Sequence, residues 1–205
     1  MPRRTAKKYE EHRQAAIRAA AAVFVEKGFH GSSTKDIAEK LGIRQGSLYY
    51  YFDSKEQALS EVCLFGIRDY VNHMTEIAAS DEPFEAKLEA TVASHLNAYR
   101  ERSEALKVYN DERLYLPAAK RRRLKALGTK YRRELESIFA VAMEQGVVRD
   151  SVDPHFAAQA VIGLCNAFGD LIVRNREPDL DETIRRCADL LINGFIGNEK
   201  EESCD

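Results

Sequence analysis

The chain has 205 residues, 44% of them hydrophobic and 31% charged, with a formal net charge of −2 at pH 7. That is enough apolar material for a real core, in one large domain or in one small plus one medium domain, and a mean hydropathy of −0.44 points to a soluble protein. No run of 18 apolar residues occurs, which argues against a membrane-crossing helix, and the basic start MPRRTAKKYEEHR lacks the apolar stretch of a signal peptide.

The four cysteines (Cys63, Cys165, Cys187, Cys204) are scattered, with no CxxC pair and no histidine at ligand spacing. A metal site or a disulfide framework is therefore not expected, and a reducing cytosol is the default compartment. Cys63 reads first as a small hydrophobe in a helical core, with redox sensing as the alternative. Charge is unevenly placed. Residues 1–60 hold 11 Lys+Arg against 7 Asp+Glu, and residues 61–205 hold 20 against 26. A basic head on an acidic body is the asymmetry expected of a nucleic-acid-binding module.

In chain order, residues 1–8 carry Arg3, Arg4, Lys7 and Lys8 without apolar periodicity, and read either as a solvated terminus or as an arm reaching phosphates or a minor groove. A helix is predicted over 9–27, where Ile17, Ala20, Ala21 and Phe24 recur on one face and Gly28 closes it. Ser33-x-x-Asp36 is a capping box opening a short helix that carries Ile37, Ala38 and Leu41 and stops at Gly42. After the Gly42-Ile43-Arg44 break, a second short helix is predicted over 45–52. Two short helices around a glycine turn make a helix-turn-helix. The second helix carries Gln45, Ser47, Tyr49, Tyr50 and Tyr51; three successive positions cannot share one face, so at least one tyrosine looks outward. Phe29, Ile37, Leu41, Leu48 and Phe52 are the expected core beneath it.

The motif Thr34-x-x-Ile37-Ala38, Gly42-Ile43, Gly46-Ser47-Leu48-Tyr49-Tyr50-Tyr51-Phe52, Ser54-Lys55-Glu56, with the upstream Ala22-x-Phe24-x-x-Lys27-Gly28-Phe29, resembles the DNA-binding signature of TetR-family transcriptional regulators over about residues 13–60. Position on the helices, sharpened by that resemblance, puts Gln45, Ser47 and Tyr50 at base edges and Lys35 within reach of a base or a phosphate. The resemblance implies phosphate contacts for Thr34, Tyr49, Tyr51 and Lys55, Lys55 lying just past the helix cap expected at Ser54. Arg44 departs from the small hydroxyl residue usual there, which leaves its role as a groove or phosphate contact open.

From Ser54 the chain reads as long helices over about 54–79, 84–102, 103–115, 117–145, 154–175 and 180–194, with turns at 80–83, 146–153 and 175–179. Nothing alternates with period two, so the fold class is all-α: a three-helix head over 1–53, a ligand-binding and dimerisation bundle over 54–197 and a tail over 198–205. The last two helices are rich in small residues (Ala157, Ala158, Ala160, Gly163, Ala167, Gly169) and either complete the core or pair with a second copy. The resemblance implies the latter, a homodimer reading a palindromic operator on double-stranded DNA.

Polar or aromatic residues on apolar stripes are candidates for a ligand pocket: Tyr70, His73, Met74, His95, Tyr99, Tyr109, Tyr131 and Phe139. Each has the plainer reading of a core or rim residue. The basic run Lys120-Arg121-Arg122-Arg123, followed by Lys125, Lys130, Arg132 and Arg133, is either a solvated helix face or an anion site. The stretch from Asn110 to Gly146 loosely resembles TetR-like regulators that sense acyl-CoA thioesters. The five histidines (His12, His30, His73, His95, His155) lie far apart without HExxH, GxSxG or a phosphate-binding glycine loop, so no reaction, metal or cofactor is proposed. A helical adaptor would account for the body but not for 47–51. The expectation is a cytosolic one-component regulator, most often a repressor, relieved by a small molecule and not associated with membrane.

Overall fold

A computed structural model describes residues 3–174 and 179–196, with side chains from Lys7 onward. The expected turn at 175–179, apart from Asp179, lies outside the described residues, as do the tail over 198–205 and Cys204. The helices are α1 (Arg3–Gly31), α2 (Thr34–Leu41), α3 (Gln45–Leu48), α4 (Lys55–Ala79), α5 (Phe84–Glu101), α6 (Ser103–Glu112), α7 (Ala118–Glu144), α8 (Pro154–Val173) and α9 (Leu180–Phe195), with a 3₁₀ turn at Arg113–Tyr115 between α6 and α7. Among the described residues there is no strand; Val148 and Ile196 form one isolated antiparallel bridge. The protein is all-α.

Two compact units result, Met1–Asp69 with Arg102–Ala126, and Tyr70–Glu101 with Leu127–Asp205. This division differs from a cut at residue 54, because the first part of α4 and all of α6 belong with the head. In that first unit, a Cβ on Gly66 would lie 3.2 Å from the Ala105 backbone, so the missing side chain is what lets α4 and α6 come so close. Arg102 pairs with Asp69 and its guanidinium lies 5.3 Å from the centre of the Phe65 ring.

Local chemistry explains both ends of α2 and the break in α1. Ser33 accepts from the Asp36 N–H at 3.2 Å, and the Asp36 carboxylate accepts from the Ser33 N–H at 2.7 Å, closing the capping box. Gly42 ends α2 at φ 74°, and Gly28, at φ 69°, interrupts α1 where its regular part was expected to stop. Two boundaries depart from expectation. α1 begins at Arg3 rather than Tyr9, since Arg, Ala, Lys and Glu favour helix without needing an apolar stripe. α3 is regular only to Leu48, not Phe52. Beyond it the N–H groups of Tyr50 and Tyr51 donate three residues back, to Ser47 (3.3 Å) and Leu48 (2.9 Å), a tightened 3₁₀-like winding. Leu48 and Phe52 are buried, as are Ile17, Ala20, Phe24, Ile37 and Leu59 of the same unit.

The second unit has its own core. Val71, Met74, Leu88, Val92, Leu96, Leu135, Phe139, Val161, Cys165 and Leu191 are buried together. Asp153 caps α8, accepting from the Phe156 N–H at 2.6 Å with Pro154 in the first turn. α8 has the length and, at a mean hydropathy of 1.6, the apolarity of a membrane span by composition alone. Gln159, Asn166 and Asp170 interrupt it, and only 28% of its most apolar window is buried within the chain. Ala157, Ala158, Val161, Cys165 and Gly169 face the core, leaving Phe156, Gly163 and Ala167 exposed.

Candidate nucleic-acid interface and body sites

The first turns of α2 and α3 meet through side chains: Gln45 Nε2 donates to Thr34 Oγ1 at 3.0 Å. Lys35, 71% exposed, lies beside Glu39 at 3.8 Å, and Arg44 is exposed just ahead of α3 without capping it. Ser47 is half-buried. The three tyrosines divide as helix geometry requires. Tyr49 and Tyr50 are exposed, Tyr50 by 79%, whereas Tyr51 is half-buried with its ring stacked 6.2 Å from that of Tyr9. Lys35, Arg44, Gln45, Tyr49 and Tyr50 thus present hydrogen-bond donors to solvent from a segment anchored beneath by Leu48 and Phe52.

Lys55, expected as a phosphate contact, is also engaged within the head. Its ammonium donates to the Phe29 carbonyl (2.7 Å) and the Ser32 carbonyl (2.8 Å) and sits 4.5 Å from the centre of the Phe29 ring. It ties the start of α4 to the chain entering α2, and only its third N–H is left for another acceptor. Tyr9, whose hydroxyl donates to the Tyr50 carbonyl at 3.4 Å, has no short-range signal in the sequence and was not anticipated.

In the second unit, Tyr70, His95, Tyr99 and Tyr131 come together. The His95 ring stacks on Tyr70 (5.0 Å) and Tyr99 (6.0 Å) and meets Tyr131 edge-on. Asn166 Oδ1 lies 3.2 Å from His95 Nε2 and accepts from the Tyr99 hydroxyl at 3.1 Å. Nε2 must therefore carry the proton, which leaves Nδ1 to accept from the Tyr131 hydroxyl at 3.0 Å. Burial pushes the His95 pKa down to about 4 and the Tyr131 phenol up. Asn166, on a helix otherwise read for its small residues, was not anticipated.

The other body candidates lie elsewhere. Met74 is buried, with the Thr91 hydroxyl 3.9 Å from its sulfur; His73 is exposed, its Nδ1 3.2 Å from Ser94 Oγ. Phe139 packs edge-on against Phe84 and Phe195. Tyr109 belongs to the first unit, where the Arg113 guanidinium lies 5.2 Å from the centre of its ring. A cleft of about 300 Å³ opens between the end of α4, the start of α5 and the end of α7, lined by Ser80, Asp81, Glu82, Lys87, Ser137 and Gln145 over Phe84 and Ile138. None of the eight candidates lines it. Within the basic run, Arg121 donates to the Leu114 carbonyl and Arg132 lies 3.4 Å from Glu136, while Arg122, Arg123, Lys125, Lys130 and Arg133 are exposed. Among the described residues no group of three or more His, Cys, Asp or Glu is disposed to hold a metal.

Residues 16–62 match the family model described as bacterial regulatory proteins, tetR family, and residues 81–170 match one described as tetracyclin repressor-like, C-terminal domain. The HTH-type transcriptional repressor KstR2 of Rhodococcus jostii (strain RHA1) is 33% identical over 139 residues, 67% of this chain and 68% of its own. The TetR-family regulator PfmR from Thermus thermophilus shares the fold at a TM-score of 0.77 and 26% identity, over 90% of this chain and 96% of its own. FadR from Bacillus subtilis, crystallised with stearoyl-CoA, has the same fold at a TM-score of 0.71 and 22% identity, over 88% of this chain and 98% of its own.

Proposed function

This chain belongs to the TetR family of bacterial transcriptional regulators, and from that premise we propose that it is a cytoplasmic repressor that grips a palindromic operator as a homodimer and lets go when a small molecule occupies its second unit. The observation that carries the DNA reading is the exposed, donor-rich segment of Arg44, Gln45, Tyr49 and Tyr50, flanked by the buried side chains of Leu48 and Phe52. Amides, hydroxyls and a guanidinium in that setting read base edges and phosphates in a major groove.

The dimer reading rests on α8. A helix this apolar with so little of its surface covered, and with Phe156 on α8 and Leu190 on α9 70% and 62% exposed, calls for a partner, and a second copy of the same face closes a four-helix arrangement by two-fold symmetry. Two heads then meet half-sites about 34–36 Å apart. An acyl-CoA is the effector class this reading favours. The exposed Lys130 and Arg133 of α7, both in the second unit, suit the nucleotide phosphates, and FadR of the same fold is found with stearoyl-CoA. An effector that prefers one shape of the dimer by about 5.5 kcal/mol inverts a 99:1 population. α4 contributes residues to both units and is the natural element to carry that preference.

Fluorescence anisotropy with a selected operator tests the set. The wild type binds it at fixed salt, and Tyr50→Ala loses about 10- to 100-fold in specific affinity while its helicity and dimer mass are unchanged. Addition of acyl-CoAs weakens the wild-type complex. Wild-type affinity for the operator with Tyr50→Ala would remove the assigned reading head, and no release by acyl-CoAs of any chain length would remove that effector class.

A further inference from the structure

We infer that Tyr9 is a positioning residue for DNA reading: from the N-terminal part of α1 it sets the pose of the Tyr50–Tyr51 turn, and so fixes which bases that turn meets. The inference rests on the DNA-reading role proposed above.

The turn needs such a support. Regular α-helix ends at Leu48, and Tyr50 and Tyr51 are wound onto it by single three-residue bonds. Leu48 and Phe52 fix the two ends of this stretch in the core, but Tyr50 between them is 79% exposed and receives no apolar anchoring of its own. Tyr9 contacts two of the three inner positions, Tyr50 and Tyr51. Its hydroxyl donates to the Tyr50 carbonyl at 3.4 Å, and its ring stacks on Tyr51 with an interplanar angle of 27°. One hydrogen bond and one ring contact therefore hold the exposed Tyr50 and its neighbour Tyr51.

Tyr9 is itself held in place. Arg13, one turn further along the same face of α1, pairs with Glu61 of α4, and Ile17, one turn beyond that, is buried in the core. Tyr9 is thus the end of a braced stripe, Tyr9–Arg13–Ile17, that reaches from the core of the head to the recognition turn. At 51% exposure it contributes little burial, so stability alone does not account for its placement.

The test uses the full-length protein, an operator chosen by selection from random duplexes and a scrambled duplex of equal length, with affinities measured across a salt series. Tyr9→Phe keeps the ring contact and removes the donor; Tyr9→Ala removes both. The expected result is a fall of about tenfold in the ratio of operator to scrambled affinity for Tyr9→Ala and a smaller fall for Tyr9→Phe. Affinity for the scrambled duplex, its salt slope and the melting temperature should stay at wild-type values, because no phosphate contact has been removed. Variants that discriminate as the wild type does would overturn the inference, as would an equal loss on both duplexes, which marks a generally weakened head. If Tyr9→Ala does not fold, Tyr9→Phe decides alone. A wild type with no sequence preference fails earlier, at the DNA-reading role itself.

Discussion

Moving from pH 7 to pH 5 should cost this protein about 2 kcal/mol of folding stability through His95 alone. His95 is 2% exposed and its pKa is lowered from 6.5 to about 4 by burial, partly offset by its bond to Asn166. The sign follows from which state takes the proton first. The unfolded chain protonates near pH 6.5 while the folded one resists to about pH 4, so His95's contribution is fully present above that range and is lost as pH falls through it. Protonation would also break the network, because an imidazolium has no lone pair on Nδ1 to accept from Tyr131. Asp36, whose carboxyl is held low chiefly by its bond to Lys27, loses its stabilisation only below its ordinary value of 3.8, outside this window. Urea denaturation at the two pH values checks the figure. His95→Gln, which keeps polar atoms in the network but cannot take up a proton, should flatten the dependence. A pH slope unchanged by the substitution would place the acid-sensitive group elsewhere.

Gly169→Ala should destabilise the second unit by about 2–3 kcal/mol, against the usual helix preference for alanine. In an open helix position the exchange is worth roughly 0.5–1 kcal/mol in favour of alanine. At Gly169 the new methyl would stand 2.4 Å from two ring carbons of Tyr99, and that ring is buried and tied to Asn166 through its hydroxyl. The ring must shift, at an overpacking cost of about 1–3 kcal/mol, and moving it endangers a hydrogen bond worth about another 1 kcal/mol. The clash wins. Gly128→Ala on α7 is the matched control. Nothing lies within 4 Å of its added methyl, so it should stabilise slightly. Thermal melts of the two variants side by side decide the point; a Gly169→Ala protein as stable as Gly128→Ala would show that Tyr99 yields freely.

The parts of this fold that were legible in the sequence are those decided within a few residues. Ser33 and Asp36 announce a helix start because each satisfies the other's backbone, and Asp153-Pro154 does the same for α8. Gly28 and Gly42 announce stops because both adopt positive φ. Long apolar stripes such as Leu88, Val92 and Leu96 foretold α5 and its buried face. What depended on partners distant in the chain was not legible. Lys55 looks like any exposed cation until the carbonyls of Phe29 and Ser32 are brought beside it, and Tyr9, at the start of the helix predicted over 9–27, meets partners 41 and 42 residues further along the chain. The body candidates scattered for the same reason. Tyr70 of α4, His95 and Tyr99 of α5 and Tyr131 of α7 meet directly across three helices, with Asn166 of α8 joining at His95 and Tyr99, whereas Tyr109 falls in the other unit with α6.

Arg44 to Tyr51, presented twice by a dimer, should read a specific DNA sequence. Selection of bound duplexes from a random pool by the purified protein, at one stated salt concentration, checks this without an operator known in advance. The expected result is an enriched palindrome whose two half-sites are centred about one helical turn, or a whole number of turns, apart. Recovery of unenriched sequence, with binding that simply weakens as salt rises, would mean that the head attracts phosphate by charge alone and would overturn the assignment.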